Sequence, residues 1–429
     1  MLDSTERKQI IALMQREVVP AIGCTEPVAV ALCVAKATET LGCLPEHITL
    51  YLSANILKNA MGVGIPGTGM IGLPIATALG ALVGKSDYQL EVLKDSNPDA
   101  VEKGKQYIAE KRITILLKEN ITEKLYIEAI CEAAGHTAKA IIAGGHTNFV
   151  YVAKDDTVLL DKQSATQTEG EAKDVQLSFK KVYEFATMTP LEELEFILEA
   201  KRLNMAAAEF SLKGDYGHGI GRMMCSKQEH EIMGDSVYSR ILSYTSAACD
   251  ARMGGAMIPV MSNSGSGNQG ITATLPVVVF AQENHKSHEE LVRALALSHL
   301  TVIYIKQSLG RLSALCGCVV AATGSACGIT YLMGGTYQQA VYAVKNMVAN
   351  LTGMLCDGAK PSCAMKLSTG VSTAVLSAMM AMQQRYVTSV EGIIDDDVDK
   401  CIRNMTRIGS VGMNETDRVV LDIMTHKSC

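Results

Sequence analysis

Two cysteines seven residues apart, in a segment that resists a helix, constrain this chain more than any other feature. The segment runs from Leu355 to Lys366, L-C-D-G-A-K-P-S-C-A-M-K, and holds Cys356 and Cys363. On a continuous helix the two sulfurs would share a face yet stand about 10 Å apart along the axis, too far to grip one compact centre. Asp357-Gly358 and Pro361 argue against that helix, because glycine permits backbone angles that other residues resist and proline lacks an N–H. The segment is therefore expected to curl and bring both sulfurs to one point. A second pair, Cys316 and Cys318, lies upstream. A curled loop with two thiols plus one remote thiol suits a three-thiolate iron–sulfur site. Each cysteine taken singly also reads as a small buried hydrophobe. Structural zinc is the competing metal, but C-G-C and C-x6-C fit its usual close-spaced ligand pairs poorly.

With 429 residues, 48% of them hydrophobic, the chain can build a sizeable core and two or three domains. A net charge of −6 with scattered lysines and arginines gives no basic stripe, so nucleic acid is not an expected partner. Thirteen cysteines is an odd number in a long chain, and the start, Met1 to Glu6, has no cationic stretch followed by an apolar one. The expectation is a reducing cytoplasm rather than a disulfide scaffold. The longest apolar run, Gly69 to Gly84, contains Pro74 and falls short of the roughly 20 residues a bilayer needs, so no membrane association is expected. Aromatic residues make up only 5%, without tryptophan, while 22 methionines and many small residues favour close helix packing.

The expected fold is α+β: a largely helical catalytic domain carrying a smaller inserted α+β domain. The boundaries read as residues 1–87 for the N-terminal part of the catalytic region, 88–180 for the insertion and 181–429 for the helical, cluster-binding domain. Asp3 or Ser4 caps a helix reaching Val18, and Pro27 opens another to Leu41. Cys24 stands beside that helix start, where the peptide dipoles favour a thiolate and lower its pKa. A strand is expected over Ile48–Ala54. The glycine-rich Gly62–Gly69 lacks the closing G-K-[ST] of a P-loop and is either an anion cradle or a packing turn. Strands follow at Arg112–Leu117, Leu125–Glu132, Ala138–Ala143 and Asn148–Val152. His136 and His146, at loop ends, read as solvated. Helical spacing covers Leu191–Ala208, Val237–Arg252, Ser287–Lys306, Ser325–Val348 and Thr369–Tyr386. Asp395-Asp396-Asp397 suits a helix start and needs no metal.

Two loops carry further chemistry. Met261 to Gly270 is dense in glycines and short polar groups, and Ser264, Ser266, Asn268 and Gln269 can wrap the carboxylate or amine of a small amino-acid substrate. Arg311, beside the C-G-C pair, is a bidentate carboxylate partner if it faces inward.

Taken together, G-C-T-E-P at 23–27, N-x2-G-V-G-I-P-G-T at 59–68, G-S-G-N-Q-G at 265–270, C-G-C at 316–318 and C-D-G-A-K-x-x-C-A-x-K at 356–366 resemble the L-cysteine desulfidase family. That family is similar to the catalytic chain of iron–sulfur L-serine dehydratases. The resemblance implies a [4Fe–4S] cluster held by Cys316, Cys356 and Cys363, with Cys318 as the alternative to Cys316, and one iron open to substrate. It implies Cys24 as the catalytic cysteine and Asn59 among the substrate contacts. The implied reaction is α,β-elimination of L-cysteine to pyruvate, ammonia and sulfide, with L-serine dehydration as the alternative and a non-catalytic zinc or redox-sensing protein as a more distant one. A homodimer is a possible assembly. Cys429 stands on a short polar tail, where a tethered thiol can reach the open iron in the absence of substrate.

Overall fold

Alternating apolar and polar residues make His47–Leu52 a strand that buries every second side chain. In the computed structural model, which describes residues 2–119, 121, 123–162, 175–226, 231–310 and 312–426, it lies inside a six-stranded sheet. Arg311 and Cys429 fall outside the described residues. The strand order is Ile113–Leu117, His47–Leu52, Tyr126–Ala133, His136–Ala143, Phe149–Lys154 and Thr157–Asp161. His47–Leu52 runs parallel to Ile113–Leu117, and every other pairing is antiparallel. The helix Thr25–Leu41 packs with this sheet through Val30, Leu32 and Val34, which share a core with Ile48, Leu50, Ile127 and Ile142. Each such burial stabilises the fold by about 1.5–3 kcal/mol relative to exposure.

The protein is a largely helical α+β structure. The sheet nevertheless draws an inner strand and its covering helix from the segment assigned above to residues 1–87. One core joins residues between Val28 and Val152, and another joins Ile10–Cys24 with residues from Phe179 to Met405. The small layer thus begins near residue 25, because sheet pairing joins segments that are remote in sequence. The strand Thr157–Asp161 is one that the sequence reading did not place.

The helical body is built on Val237–Met253, Gly267–Glu283, His288–Leu309, Gly317–Leu332, Tyr337–Leu351 and Cys363–Met382. Small residues let these axes come close: a side-chain carbon on Gly324 would lie 2.4 Å from Ser298 O. The single helix expected over Ser325–Val348 is broken. Gly334 adopts φ +83°, and Thr336 caps a new helix in a reciprocal pair with Gln339. Leu191–Ala208 likewise begins as two short 3-10 turns before the helix Leu198–Leu212. Asp3 and Asp397 cap their helices as their positions suggested.

Two features bring remote segments to one place. The strand Pro20–Ile22 pairs antiparallel with Pro259–Met261, and Ser264 N donates to Glu17 O at 2.9 Å. This sets the Cys24 turn against the 262–270 loop. The glycine-rich turn is a packing element rather than an anion cradle. Its amides are spent within the protein, Gly64 N on Met253 O at 3.0 Å and Gly67 N on Gly255 O at 3.1 Å. It therefore fixes the end of the Val237–Met253 helix. No helix among the described residues is long and apolar enough to cross a membrane.

Candidate active site

A cavity of about 100 Å³ lies where these segments meet. One wall comes from the start of Thr25–Leu41 and the end of the helix Ala54–Ala60, which bring Cys24, Glu26 and Asn59 together. Cys24 is the N-cap residue and is only 2% exposed. Its Sγ donates to Glu26 Oε2 at 2.9 Å, and Asn59 Nδ2 donates to Glu26 Oε1 at 3.2 Å. Thr25 Oγ1 lies 3.1 Å from both Glu26 Oε2 and Gly265 O.

The electrostatics reverse the expected thiolate at Cys24. Burial, and then the charge of Glu26, push this thiol well above its ordinary pKa, and Arg252 opposes them without prevailing. For Glu26, burial works to raise the carboxyl. The charge of His146, the Cys24 hydrogen bond, a backbone amide and Arg252 outweigh it, so the net direction is below the ordinary carboxylate value. The pair is held as a protonated thiol beside a carboxylate. His146, read above as solvated, is 9% exposed and lines a larger cleft of about 1100 Å³ on the other side of Thr25.

The second wall is the start of Gly267–Glu283. Ser266 caps this helix by accepting from Gln269 N at 3.4 Å, and Asn268 Oδ1 accepts from Arg252 Nη1 at 3.0 Å. Gln269 is 4% exposed and its Oε1 has no donor. Ser266, Asn268 and Gln269 all line the cavity, whereas Ser264 does not. Ser264 faces the larger cleft, and its Oγ donates to Asn263 Oδ1 at 2.8 Å.

The third wall carries the thiols. A short antiparallel bridge between Leu315 and Leu355 aligns two loops, with Cys316 N donating to Met354 O at 3.0 Å and Cys356 N to Ala314 O at 2.7 Å. The Leu355–Lys366 segment curls as expected and turns into a helix at Cys363. Gly358 makes the curl possible: it adopts φ +90°, and a side-chain carbon there would lie 2.2 Å from Lys58 O. Lys58 Nζ in turn donates to Cys356 O at 3.4 Å and pairs with Asp417. Lys366 Nζ donates to Leu355 O at 2.8 Å and pairs with Asp357. Asp357 is held near 2: burial would raise it, but hydrogen bonds from Lys360 and Lys366 dominate.

Cys316, Cys318, Cys356 and Cys363 all line the cavity. Burial, reinforced by Cys356, pushes Cys316 up to about 12. The C-G-C pair is asymmetric, because Cys318 Sγ donates to Lys366 O at 3.1 Å while Cys316 Sγ has no such bond. Among the described residues no group of three or more His, Cys, Asp and Glu side chains converges as ligands of a single ion would. The four thiols line one wall of the cavity.

The sequence reading omitted Glu26, Arg252 and Lys366. Glu26 stood inside the quoted G-C-T-E-P. Arg252 ends a long helix of ordinary composition, and only the fold shows where it points.

A family model described as serine dehydratase alpha chain matches residues 87–422. The chain belongs to the serine dehydratase alpha chain family. Its similarity to the catalytic chain of L-serine dehydratases is thereby shown. Among its relatives, a UPF0597 protein of Bacteroides fragilis is 75% identical over 428 residues, covering 100% of both chains. One of Porphyromonas gingivalis is 56% identical over 433 residues, 99% of this chain and 100% of the relative. One of Aeromonas hydrophila is 42% identical over 420 residues, 97% and 96% respectively.

Proposed function

We propose that this chain is an iron–sulfur lyase that eliminates the β-substituent of a small L-α-amino acid, with L-cysteine as substrate and pyruvate, ammonia and sulfide as products. One observation carries the reading. Thiols from two remote loops share a cavity of about 100 Å³ with a buried acid–thiol pair and an amide-rich helix start. The donor set fits an iron–sulfur group: four thiols line the cavity, and Cys316, Cys356 and Cys363, the three that the resemblance assigns, would hold it. When bound, such a cluster with one iron lacking a cysteine ligand supplies a Lewis acid for the departing sulfur.

The protein's own groups handle the proton. The resting pair is a protonated Cys24 thiol 2.9 Å from the Glu26 carboxylate, so no free thiolate is formed in advance. As the Cα–H proton passes to Sγ, the thiol proton passes to Glu26 Oε2, a Cα–Cβ double bond forms, and the C–S bond breaks with its electrons on the leaving sulfur. Glu26 then gives its proton to the departing sulfur, which restores the carboxylate. Water completes the conversion of the released enamine to pyruvate and ammonia. Asn59, bonded to Glu26 Oε1, keeps the carboxylate aimed at Cys24.

The family match favours a second reading, L-serine dehydration, which differs only in the leaving atom. The motifs around Cys24, Asn59 and Cys356 favour L-cysteine, and a soft sulfur suits iron better than a hydroxyl does. Anaerobically purified protein, brown and iron-loaded, should release sulfide and pyruvate in equal amounts from L-cysteine faster than it forms pyruvate from L-serine. Faster turnover of L-serine would select the second reading. A colourless, zinc-loaded and inactive protein would overturn both.

A further inference from the structure

Arg252 is a buried cation that acts on the Glu26 carboxylate across the cavity without being paired to it. It is 3% exposed, lines the small cavity, and has no carboxylate within ion-pair distance among the described residues. A guanidinium has five N–H donors. Arg252 spends one from Nε on Gly23 O at 3.1 Å and one from Nη1 on Asn268 Oδ1 at 3.0 Å, which leaves Nη2 unspent. Burying a charge in this way is costly unless a partner arrives. The neighbouring cations differ: Lys366 is paired with Asp357, and Lys58 with Asp417.

Two further observations bear on what binds beside Arg252. Gly267, the first residue of a 17-residue helix, lies against the guanidinium so closely that a side-chain carbon there would be 2.2 Å from Nε. The positive end of that helix dipole therefore adds to the same field. The orphaned acceptor, Gln269 Oε1, lines the same cavity. One wall thus holds a cation outside any ion pair and an unmatched acceptor. A free α-amino acid carries the two complements, a carboxylate and an ammonium.

We infer that Arg252 anchors the substrate α-carboxylate and that Gln269 Oε1 accepts from the α-ammonium, so that the site selects unblocked, zwitterionic amino acids. This inference rests on the proposed function for its substrate class, but it concerns binding alone and is tested without turnover. L-alanine has the zwitterion and no leaving group, ethylamine lacks the carboxylate, and propionate lacks the ammonium. Equilibrium dialysis of the anaerobic holoenzyme against each radiolabelled ligand should show L-alanine held most tightly. In Arg252→Gln, L-alanine and propionate should weaken about 10–150-fold while ethylamine holds its affinity, the range for a hydrogen bond to a charged group. In Gln269→Leu, L-alanine and ethylamine should weaken about tenfold and propionate should not. Arg252 also ties Gly23 to Asn268. Arg252→Lys therefore keeps the charge for the case in which the glutamine variant does not fold, and it should bind L-alanine more weakly than wild type while still preferring it to ethylamine. Unchanged L-alanine binding in the Arg252 variants, or equal losses for L-alanine and ethylamine, would overturn the anchor. A wild-type protein that holds L-alanine but eliminates neither L-cysteine nor L-serine would sink the proposed function and leave the anchor standing.

Discussion

Two walls of one cavity start from the same material, a buried thiol at the beginning of a helix, and set it in opposite electrostatic surroundings. Cys24 caps Thr25–Leu41, Cys316 caps Gly317–Leu332, and Cys363 opens the helix Cys363–Met382. Burial raises all three thiols, and it is the largest influence on each. At Cys24 the adjacent carboxylate of Glu26 adds to that rise. At Cys316 the neighbouring thiols of Cys356 and Cys363 add to it as well, and the ammonium of Lys366 opposes them without prevailing. At Cys363 a backbone amide and the ammoniums of Lys360 and Lys366 oppose the rise, and Cys356 adds to it. A helix start does not by itself make a thiolate once the sulfur is buried; all three thiols stay raised, and the charges beside them set only how far. On the proposed function, the lysines of the second wall are the counter-charges that thiolate ligands would need.

The largest effect should come from breaking the thiol wall. Cys356→Ser, Cys363→Ser and Cys316→Ser each replace a soft sulfur with a hard hydroxyl and should bring iron content and visible absorbance to background, with loss of all turnover. Cys318→Ser should retain iron if the three thiolates are those of Cys316, Cys356 and Cys363. Iron analysis of the four variants checks this, and an iron-free Cys318→Ser beside an iron-loaded Cys316→Ser would exchange the two roles.

Breaking the acid wall should leave the iron in place. Glu26→Gln and Cys24→Ala remove the proton acceptor and the proton carrier, and each should lower turnover about 10²–10⁴-fold with iron content near wild type. Full activity in Cys24→Ala would return this residue to packing. Loss of iron in Glu26→Gln would show that the two walls are not separable.

A smaller effect tests what holds the thiol wall in shape. Gly358→Ala places a carbon 2.2 Å from Lys58 O at φ +90°, so either the curl or the Ala54–Ala60 helix must shift. The strained backbone angle costs about 1–3 kcal/mol. Thermal unfolding should report that loss, and cluster reconstitution should become slower because Cys356 is displaced. Wild-type behaviour in both would mean that the loop has room that this packing does not provide.

The thiol wall was the more legible part of the sequence. Gly358 and Pro361 force a curl, and C-D-G-A-K-x-x-C marks it locally, so the positions of Cys356 and Cys363 followed from neighbours in the chain. Helix starts at Asp3 and Asp397 were legible for the same reason, whereas the helix expected to open at Pro27 begins two residues earlier, at Thr25. The acid wall was not, because its character comes from contacts remote in sequence. The pKa of Cys24 depends on burial that only the packed helices create, and the charge of His146 reaches Glu26 from another layer. Arg252 lacked any local signal, and the His47–Leu52 strand found its partners only beyond residue 112. The break at Gly334-Gly335 has a local signal, two adjacent glycines, but helical spacing continues on both sides and masks it.

The smallest effect lies outside both walls and separates their titration from that of the scaffold. His299 is fully buried on His288–Leu309, with Nδ1 3.0 Å from Asn263 Nδ2 and Nε2 3.0 Å from Thr274 Oγ1. Because the amide of Asn263 donates to Nδ1, the ring is neutral with its proton on Nε2, and it ties the start of the 263–266 turn to the helix behind it. Burial takes its pKa down to about 3. The unfolded chain binds this proton below about 6.5, and the folded one does not until about 3. Stability is therefore complete above pH 6.5 and falls as pH drops toward 3, by up to about 1.4 kcal/mol per unit. Between pH 6.5 and 5 that amounts to roughly 2 kcal/mol. The groups resolved in the two walls do not contribute there, since the thiols of Cys24, Cys316 and Cys363 are raised above 9.0 and the Glu26 and Asp357 carboxyls are lowered below 4.5 and 3.8. Urea unfolding of the metal-free protein should show that acid-side loss, and His299→Gln should remove most of it. An identical pH slope in the variant would assign the loss to other histidines and leave the 263–266 turn insensitive to acid.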